Sequence, residues 1–190
     1  SAVYEDAQKI AEAAVAHPYG VIESNDNNPT MQSNSNLSFT YNNPIHSISS
    51  AEGYEEDVMG ATMDAYLNGF EDPRRAVFFA LSSNGNYRGL RNGHKNGDIF
   101  KGDEGLSKPN IQQGTPYIWM TAAEVFFLRA EGALKQWDMK GTPEALYKSG
   151  IRASFEQHGV KNVENYLVST KVPARYPGFK ASPSAPAPSD

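Results

Sequence analysis

Tyr87, Arg88, Arg91 and Asn92 stand together in the run GNYRGLRNG. An aromatic ring, two guanidinium groups and a carboxamide in one glycine-flanked stretch are the groups that hold a carbohydrate. The ring stacks on C–H patches while the planar donors bond to hydroxyls. Tyr41, which closes the alternating piece LSFTY in an Asn- and Ser-rich stretch, joins them as a candidate contact. The alternative is purely structural, with Tyr87 packing beneath its loop while the arginines brace backbone carbonyls. Both readings stand at this point.

Carboxylates offer a second kind of chemistry, because a glycosidase needs two of them facing across a cleft. Glu55, Glu56 and Asp57 are consecutive and cannot all face one cleft from a helix, whereas acids there suit the positive end of a helix dipole. Glu124 and Glu131 lie seven residues apart, within about 20° on a helical wheel and roughly 10 Å apart along the axis. Lys135 follows Glu131 by one turn, and Arg129 projects from the opposite margin of the same helix. The three charges Glu124, Arg129 and Glu131 therefore read as borders of a buried face that bond to neighbouring helices or loop backbone.

Other chemistries lack their signatures. His17, His46, His94 and His158 are scattered, with no H-E-x-x-H pair, and there is no cysteine, so neither a metal site nor a disulfide is expected. No G-x-S-x-G elbow is present, and GLRNGHKNGD fails the spacing of a phosphate loop. Nothing points to a cofactor. A net charge of -5 with scattered basic residues speaks against nucleic acid as a partner. No apolar run of bilayer length and no signal peptide are found.

The elements that must position these residues are mostly helical. Val3, Ala7, Ile10, Ala11, Ala14 and Val15 mark a helix over residues 1–17 that His17-Pro18-Tyr19-Gly20 stops. Residues 18–50 read as a loop with at most an edge strand in LSFTY. Residues 51–81 hold a helix and a short apolar element. Met59, Met63, Tyr66, Leu67 and Phe70 form the helical stripe, and Glu52, Glu55, Glu56 and Asp57 its first turns. Asp72-Pro73 follows as an N-cap pair or a turn. Residues 82–115 form a second Gly- and Asn-rich loop.

Residues 116–160 form a helical hairpin. Trp119, Ala122, Ala123, Phe126, Phe127, Ala130, Ala133, Leu134 and Trp137 fill an arc of roughly 160°, so the first helix is packed on two sides. Thr142-Pro143-Glu144 opens the second helix, Leu146, Tyr147, Ile151, Phe155 and His158 line one face, and Gly159 ends it. Residues 161–190 read as an extended Pro- and Ser-rich tail.

The segment WMTAAEVFFLRAEGAL (119–134), with Tyr147, Gly150-Ile151-Arg152 and Ser154-Phe155-Glu156, resembles the SusD/RagB family of nutrient-binding outer-membrane lipoproteins. MDAYLNGFEDPR (63–74) and YRGLRNG (87–93) fit the same SusD-like branch. The resemblance implies a mainly α fold in which tetratricopeptide-like helix pairs form a scaffold and long Asn/Gly-rich loops carry the ligand site, all of residues 1–190 being one partial SusD-like domain. It also implies non-catalytic binding of a glycan or other nutrient at the cell surface, delivery to a SusC-type TonB-dependent transporter, and a lipid anchor that has no cysteine here. The chain reads as an internal fragment, with helix faces exposed that would invite self-association. Two other classes compete. One is a tetratricopeptide-like protein-interaction scaffold. The other is an all-α glycosidase built on Glu124 and Glu131.

Overall fold

The computed structural model describes residues 2–34, 42–49, 57–90 and 105–174. Among the described residues the fold is mainly α with one two-stranded antiparallel sheet. The backbone gathers into two compact units, Ser1–Ser47 with Gln112–Val168 and Ile48–Ile111 with Ser169–Asp190.

The first unit is built on a hairpin of two helices, α5 (Ala122–Leu134) and α6 (Pro143–Gln157). Each starts where a threonine in extended conformation turns its hydroxyl onto the first free amides. Thr121 accepts from Glu124 N and Thr142 from Ala145 N, with Pro143 following the second cap. Gly159 ends the pair at φ +64, the left-handed backbone that closes a helix without Cβ strain. Contacts run in opposite order along the two helices: Ala123 packs with Ala153, Phe127 meets Gly150, and Ala130 packs with Leu146. The hairpin is therefore antiparallel. A Cβ on Gly150 would lie 2.6 Å from the Phe127 ring, so the helices approach to a separation that only glycine permits there.

The buried side of α5 differs from the arc expected of it. Trp119 precedes the helix and is 68% exposed, and Leu134 is 72% exposed, while Val125, Arg129 and Gly132 are buried. The physical reason is the connection to α6, which folds back through Gln136 and Lys140, both at positive φ, and offers its carbonyls to Arg129. Tyr147 of α6 is likewise mostly exposed, its ring resting on Phe127 at 5.5 Å.

Helix α1 (Ala2–Ala16) places Ala11 and Val15 against Ala130, Met139 and Leu146. Its remaining apolar positions Ala7, Ile10 and Ala14 are exposed, so the buried strip is narrower than the periodicity suggests. Glu12 fastens α1 to the hairpin by accepting from Asp138 N at 2.9 Å. The Gln8 amide first, and then that Asp138 N–H, hold the Glu12 carboxyl below its ordinary range. A carboxyl lowered in the folded state contributes stability that is complete above its unfolded pKa and lost as pH falls through the folded value. Glu12→Gln should therefore lower the melting temperature slightly at neutral pH and not at all in acid, which a melting series across pH checks.

The stretch over 18–50, expected as a loop with at most an edge strand, carries more regular structure than that. It contains a 3-10 turn at Asn25–Asn27, strand β1 (Thr30–Met31) and helix α2 (Pro44–Ser49). Strand β1 pairs with β2 (Tyr117–Ile118), Thr30 opposite Ile118 and Met31 opposite Tyr117. LSFTY, where a strand was expected, lies outside the described residues. The asparagines explain the order: Asn25 Nδ2 donates to Ala153 O at 2.9 Å, Asn28 Oδ1 accepts from Ala122 N at 2.7 Å, and Asn43 Nδ2 donates to Thr115 O at 2.8 Å. Asn43 Oδ1 also accepts from Ile45 N, capping α2 ahead of Pro44. Beyond the hairpin, the expected extended tail begins instead with helix α7 (Val163–Leu167), entered through Asn162 at φ +65. Tyr166 sets its ring against Phe155 at 5.2 Å, and Arg152 forks onto Glu164.

In the second unit, helix α3 (Ala61–Gly69) starts later than its apolar stripe suggests. Asp57 is not helical, and Glu52, Glu55 and Glu56 lie outside the described residues. Met59 is fully buried without being helical, because its backbone is held from elsewhere: its N–H donates to Ser107 O at 2.8 Å and its carbonyl accepts from Leu90 N at 2.7 Å. Those long-range bonds compete with a helical start and win. Met63 and Tyr66 of the expected stripe are exposed, while Leu67 is buried as its spacing suggests and Asp64 joins it on the buried face. Asp72 then forms a turn, accepting from Arg74 N at 2.9 Å and from the Arg74 guanidinium through both carboxylate oxygens. Helix α4 (Arg75–Phe78) follows, and the chain pairs antiparallel at Phe79 with Pro109.

Candidate functional site

Tyr87, Arg88 and Gly89 are held at consecutive backbone groups. Tyr87 O accepts from Asn68 Nδ2 at 2.9 Å. Arg88 N donates to Ser107 Oγ at 3.1 Å, and Arg88 O accepts from Ser107 N at 2.9 Å. Gly89 N donates to Asp64 Oδ2 at 2.7 Å. A Cβ on Gly89 would lie 2.6 Å from Gly60 O and 2.9 Å from the Asp64 Cβ, so the strap sits directly on the start of α3. Its backbone is thus anchored on one side by helix α3 and on the other by the buried Ser107.

Upstream, a tight turn delivers the chain to this strap. Gly85 at φ +72 lets its N–H reach Ser82 O at 2.9 Å, while Ser82 N donates to Asn86 O at 2.8 Å.

The side chains on the strap face different surroundings. Arg88 is exposed, and its guanidinium makes no hydrogen bond or ion pair among the described residues. Tyr87 is half-buried, with the Arg75 guanidinium 5.2 Å from its ring centre, a cation–π arrangement that occupies one ring face. Arg75 in turn donates to Asn68 Oδ1 at 3.1 Å. Asn68 therefore uses its whole amide, with its nitrogen on Asp64 Oδ1 at 2.7 Å and on Tyr87 O, and its oxygen on Arg75.

Of the residues read from the sequence, Tyr87 and Arg88 are brought side by side on this strap, while Tyr41, Arg91 and Asn92 lie outside the described residues. Asp64, Asn68, Arg75 and Ser107 went unread. Their one local signal was a pair of polar side chains four apart, Asp64 and Asn68, inside a helix otherwise striped with apolar residues.

The charges of α5 sit apart from one another. Arg129 is buried rather than marginal. It donates through Nε and Nη2 to Met139 O at 3.1 and 3.0 Å and through Nη1 to Glu23 at 2.5 Å, and it lies over the Phe126 ring. Glu124 is exposed in the first turn. Glu131 is exposed and paired with Lys135 at 2.6 Å, and that hydrogen bond is the main reason its carboxyl is held below the usual range. A general acid needs the opposite shift, toward neutral pH. Among the described residues no three His, Asp or Glu side chains converge on a metal position, and no helix is long and apolar enough to cross a membrane.

An apolar cavity of about 340 Å³ lies in the first unit, lined among others by Ala11, Val15, Val21, Ile22, Met120 and Leu128. It offers almost no polar atoms to hydroxyl groups. Arg129, the one charged residue lining it among those described, is already committed to Met139 and Glu23. Sugar recognition needs placed donors and acceptors, so the strap suits it better than this cavity.

The first unit is thus a helical hairpin with Asn-bonded loops, and the second holds a backbone-fastened strap bearing Tyr87 and Arg88. The family profile described as SusD-like, SusD and RagB outer membrane lipoprotein, matches residues 2–190. The chain belongs to that family. Among solved structures it resembles a SusD homologue from Bacteroides thetaiotaomicron at 34% identity and TM-score 0.76, covering 93% of this chain and 36% of that one. It also resembles a chitin-binding SusD homologue from Flavobacterium johnsoniae at 37% identity and TM-score 0.78, covering 90% and 34%. A SusD homologue from Bacteroides uniformis aligns at 36% identity and TM-score 0.80, covering 90% and 36%. The chain thus spans about a third of the length of these relatives. No match was found among curated proteins.

Proposed function

We propose that the protein binds a glycan or related nutrient at the outer-membrane surface, without catalysis, and passes it to a SusC-type TonB-dependent transporter. Tyr87 and Arg88 contribute to the ligand contact, together with Tyr41, Arg91 and Asn92. The observation that carries this reading is the strap itself, an exposed Arg88 whose guanidinium has no partner among the described residues, beside Tyr87 on a backbone held at three consecutive residues. Family membership supports the role and the location. We read the α5–α6 hairpin as a tetratricopeptide-like pair, Glu124, Arg129 and Glu131 as structural charges of that scaffold, and the whole chain as part of one longer SusD-like domain.

The chitin-binding relative makes a chitin hexasaccharide the first probe, followed by an array of neutral and acidic oligosaccharides. Calorimetric titration should show binding with no release of reducing sugar. Tyr87→Ala should weaken affinity about fivefold, the size of one aromatic stacking contact of about 1 kcal/mol, while leaving the melting temperature nearly unchanged. A large fall in melting temperature with unaltered affinity would make Tyr87 a packing residue. Sugar release abolished by Glu124→Gln would replace the binding reading with the glycosidase.

A further inference from the structure

The carboxylate of Asp64 is buried, with 4% of the residue exposed, on a helix face where a solvated acid would be expected. Burying a charge is costly unless hydrogen bonds surround it, and here both oxygens are engaged. Oδ2 takes the Gly89 amide at 2.7 Å and Oδ1 takes the Asn68 amide at 2.7 Å. Asn68 in turn holds Tyr87 O and receives Arg75, the cation stacked on Tyr87. One carboxylate thus reaches both sides of Arg88, directly at Gly89 and through Asn68 at Tyr87. Charge-assisted bonds of this kind are short and directional.

We propose that Asp64 is the positioning residue of the ligand site, setting in advance the conformation in which Tyr87 and Arg88 are presented. This rests on the reading of Tyr87 and Arg88 as ligand contacts. Preorganisation of a contact loop raises affinity by removing the ordering cost at the moment of binding, so loss of Asp64 should weaken binding without removing any group that touches the ligand.

Asp64→Asn is a sharp test because the geometry leaves the new amide no good orientation. One of its two atoms becomes a donor facing either Gly89 N–H or the Asn68 NH2. Turning Asn68 around would bring its oxygen toward Tyr87 O and its NH2 toward Arg75. Two measurements on the chain decide the matter: hydrogen exchange of the Arg88 and Gly89 amides without ligand, and calorimetric titration with the chitin hexasaccharide or, if that gives no heat, with a hit from the array. The expected result is faster exchange at both amides together with roughly tenfold weaker affinity, Tyr87 and Arg88 being intact.

Faster exchange with unaltered affinity, or unaltered exchange, overturns the role of Asp64. If Tyr87→Ala and Arg88→Ala both leave affinity unchanged, or no oligosaccharide binds the unaltered chain, it is the reading of the strap as a ligand contact that fails, whatever exchange shows. Should Asp64→Asn not fold, Asn68→Ala carries the test at a half-buried position. It should weaken affinity in the same direction, and unchanged affinity overturns the proposal.

Discussion

Arg129→Ala should lower the urea midpoint of the chain by an amount equivalent to about 2–4 kcal/mol of unfolding free energy. The guanidinium is 7% exposed at its side chain and ties down the α5–α6 connection, taking Met139 O through two nitrogens and Lys140 O at 3.5 Å. Truncation leaves those carbonyls without donors beside a void next to Phe126, and an orphaned buried acceptor costs more than the original bond contributed. The Glu23 partner is a lesser part of the effect, because its carboxylate is 60% exposed and regains water when released. Glu23→Gln should accordingly cost under about 1 kcal/mol. Arg129→Lys should recover little of the loss, since a single ammonium cannot reproduce the forked bonds to loop carbonyl and carboxylate together. Equilibrium denaturation of the three variants separates the contributions. A loss for Glu23→Gln as large as that for Arg129→Ala would show that the ion pair, and not the loop carbonyls, dominates.

Phe155→Ala should cost about 3–5 kcal/mol, the range for emptying an aromatic core position. Phe155 is 1% exposed on α6, and its ring meets Tyr166 of α7 at a tilted 5.2 Å. The void would open under a five-residue helix that has no buried residue of its own, so α7 should loosen first. Phe155→Leu should restore part of the midpoint by refilling volume without the ring contact. Amide exchange at Tyr166 and Leu167 then reports whether α7 depends on that ring. Unchanged protection there in Phe155→Ala would mean that Arg152 and Glu164 hold the helix by themselves.

The hairpin was legible because its information is local. Thr121, Thr142, Pro143 and Gly159 act within a turn of their own positions, and a helix boundary is decided there. Helix α3 was legible only in part. Met59 belongs to the apolar stripe by spacing, yet Ser107 and Leu90 claim its backbone from far along the chain. The Asn-rich stretch reads as loop by composition, although Asn25, Asn28 and Asn43 spend their amides on Ala153, Ala122 and Thr115. Composition shows that such side chains seek partners and does not say where the partners are.

The same division runs through the candidate site. Residue type alone marked Tyr87 and Arg88, because a ring and a guanidinium between glycines are chemically conspicuous wherever they sit. Family membership was legible as well, since residues 119–134 of its signature are consecutive. Asp64 was invisible, for an acid on a helix ordinarily faces water. Its meaning comes from Gly89 and Asn68 arriving at its two oxygens, and Arg129 likewise changed from a border charge to a buried anchor once the α5–α6 connection folded onto it. Local sequence determined the bounds of the α5–α6 hairpin and which groups have the chemistry to bind. Tertiary structure alone decided which charges are buried and what they hold, because desolvation and hydrogen-bond partnership depend on groups distant along the chain.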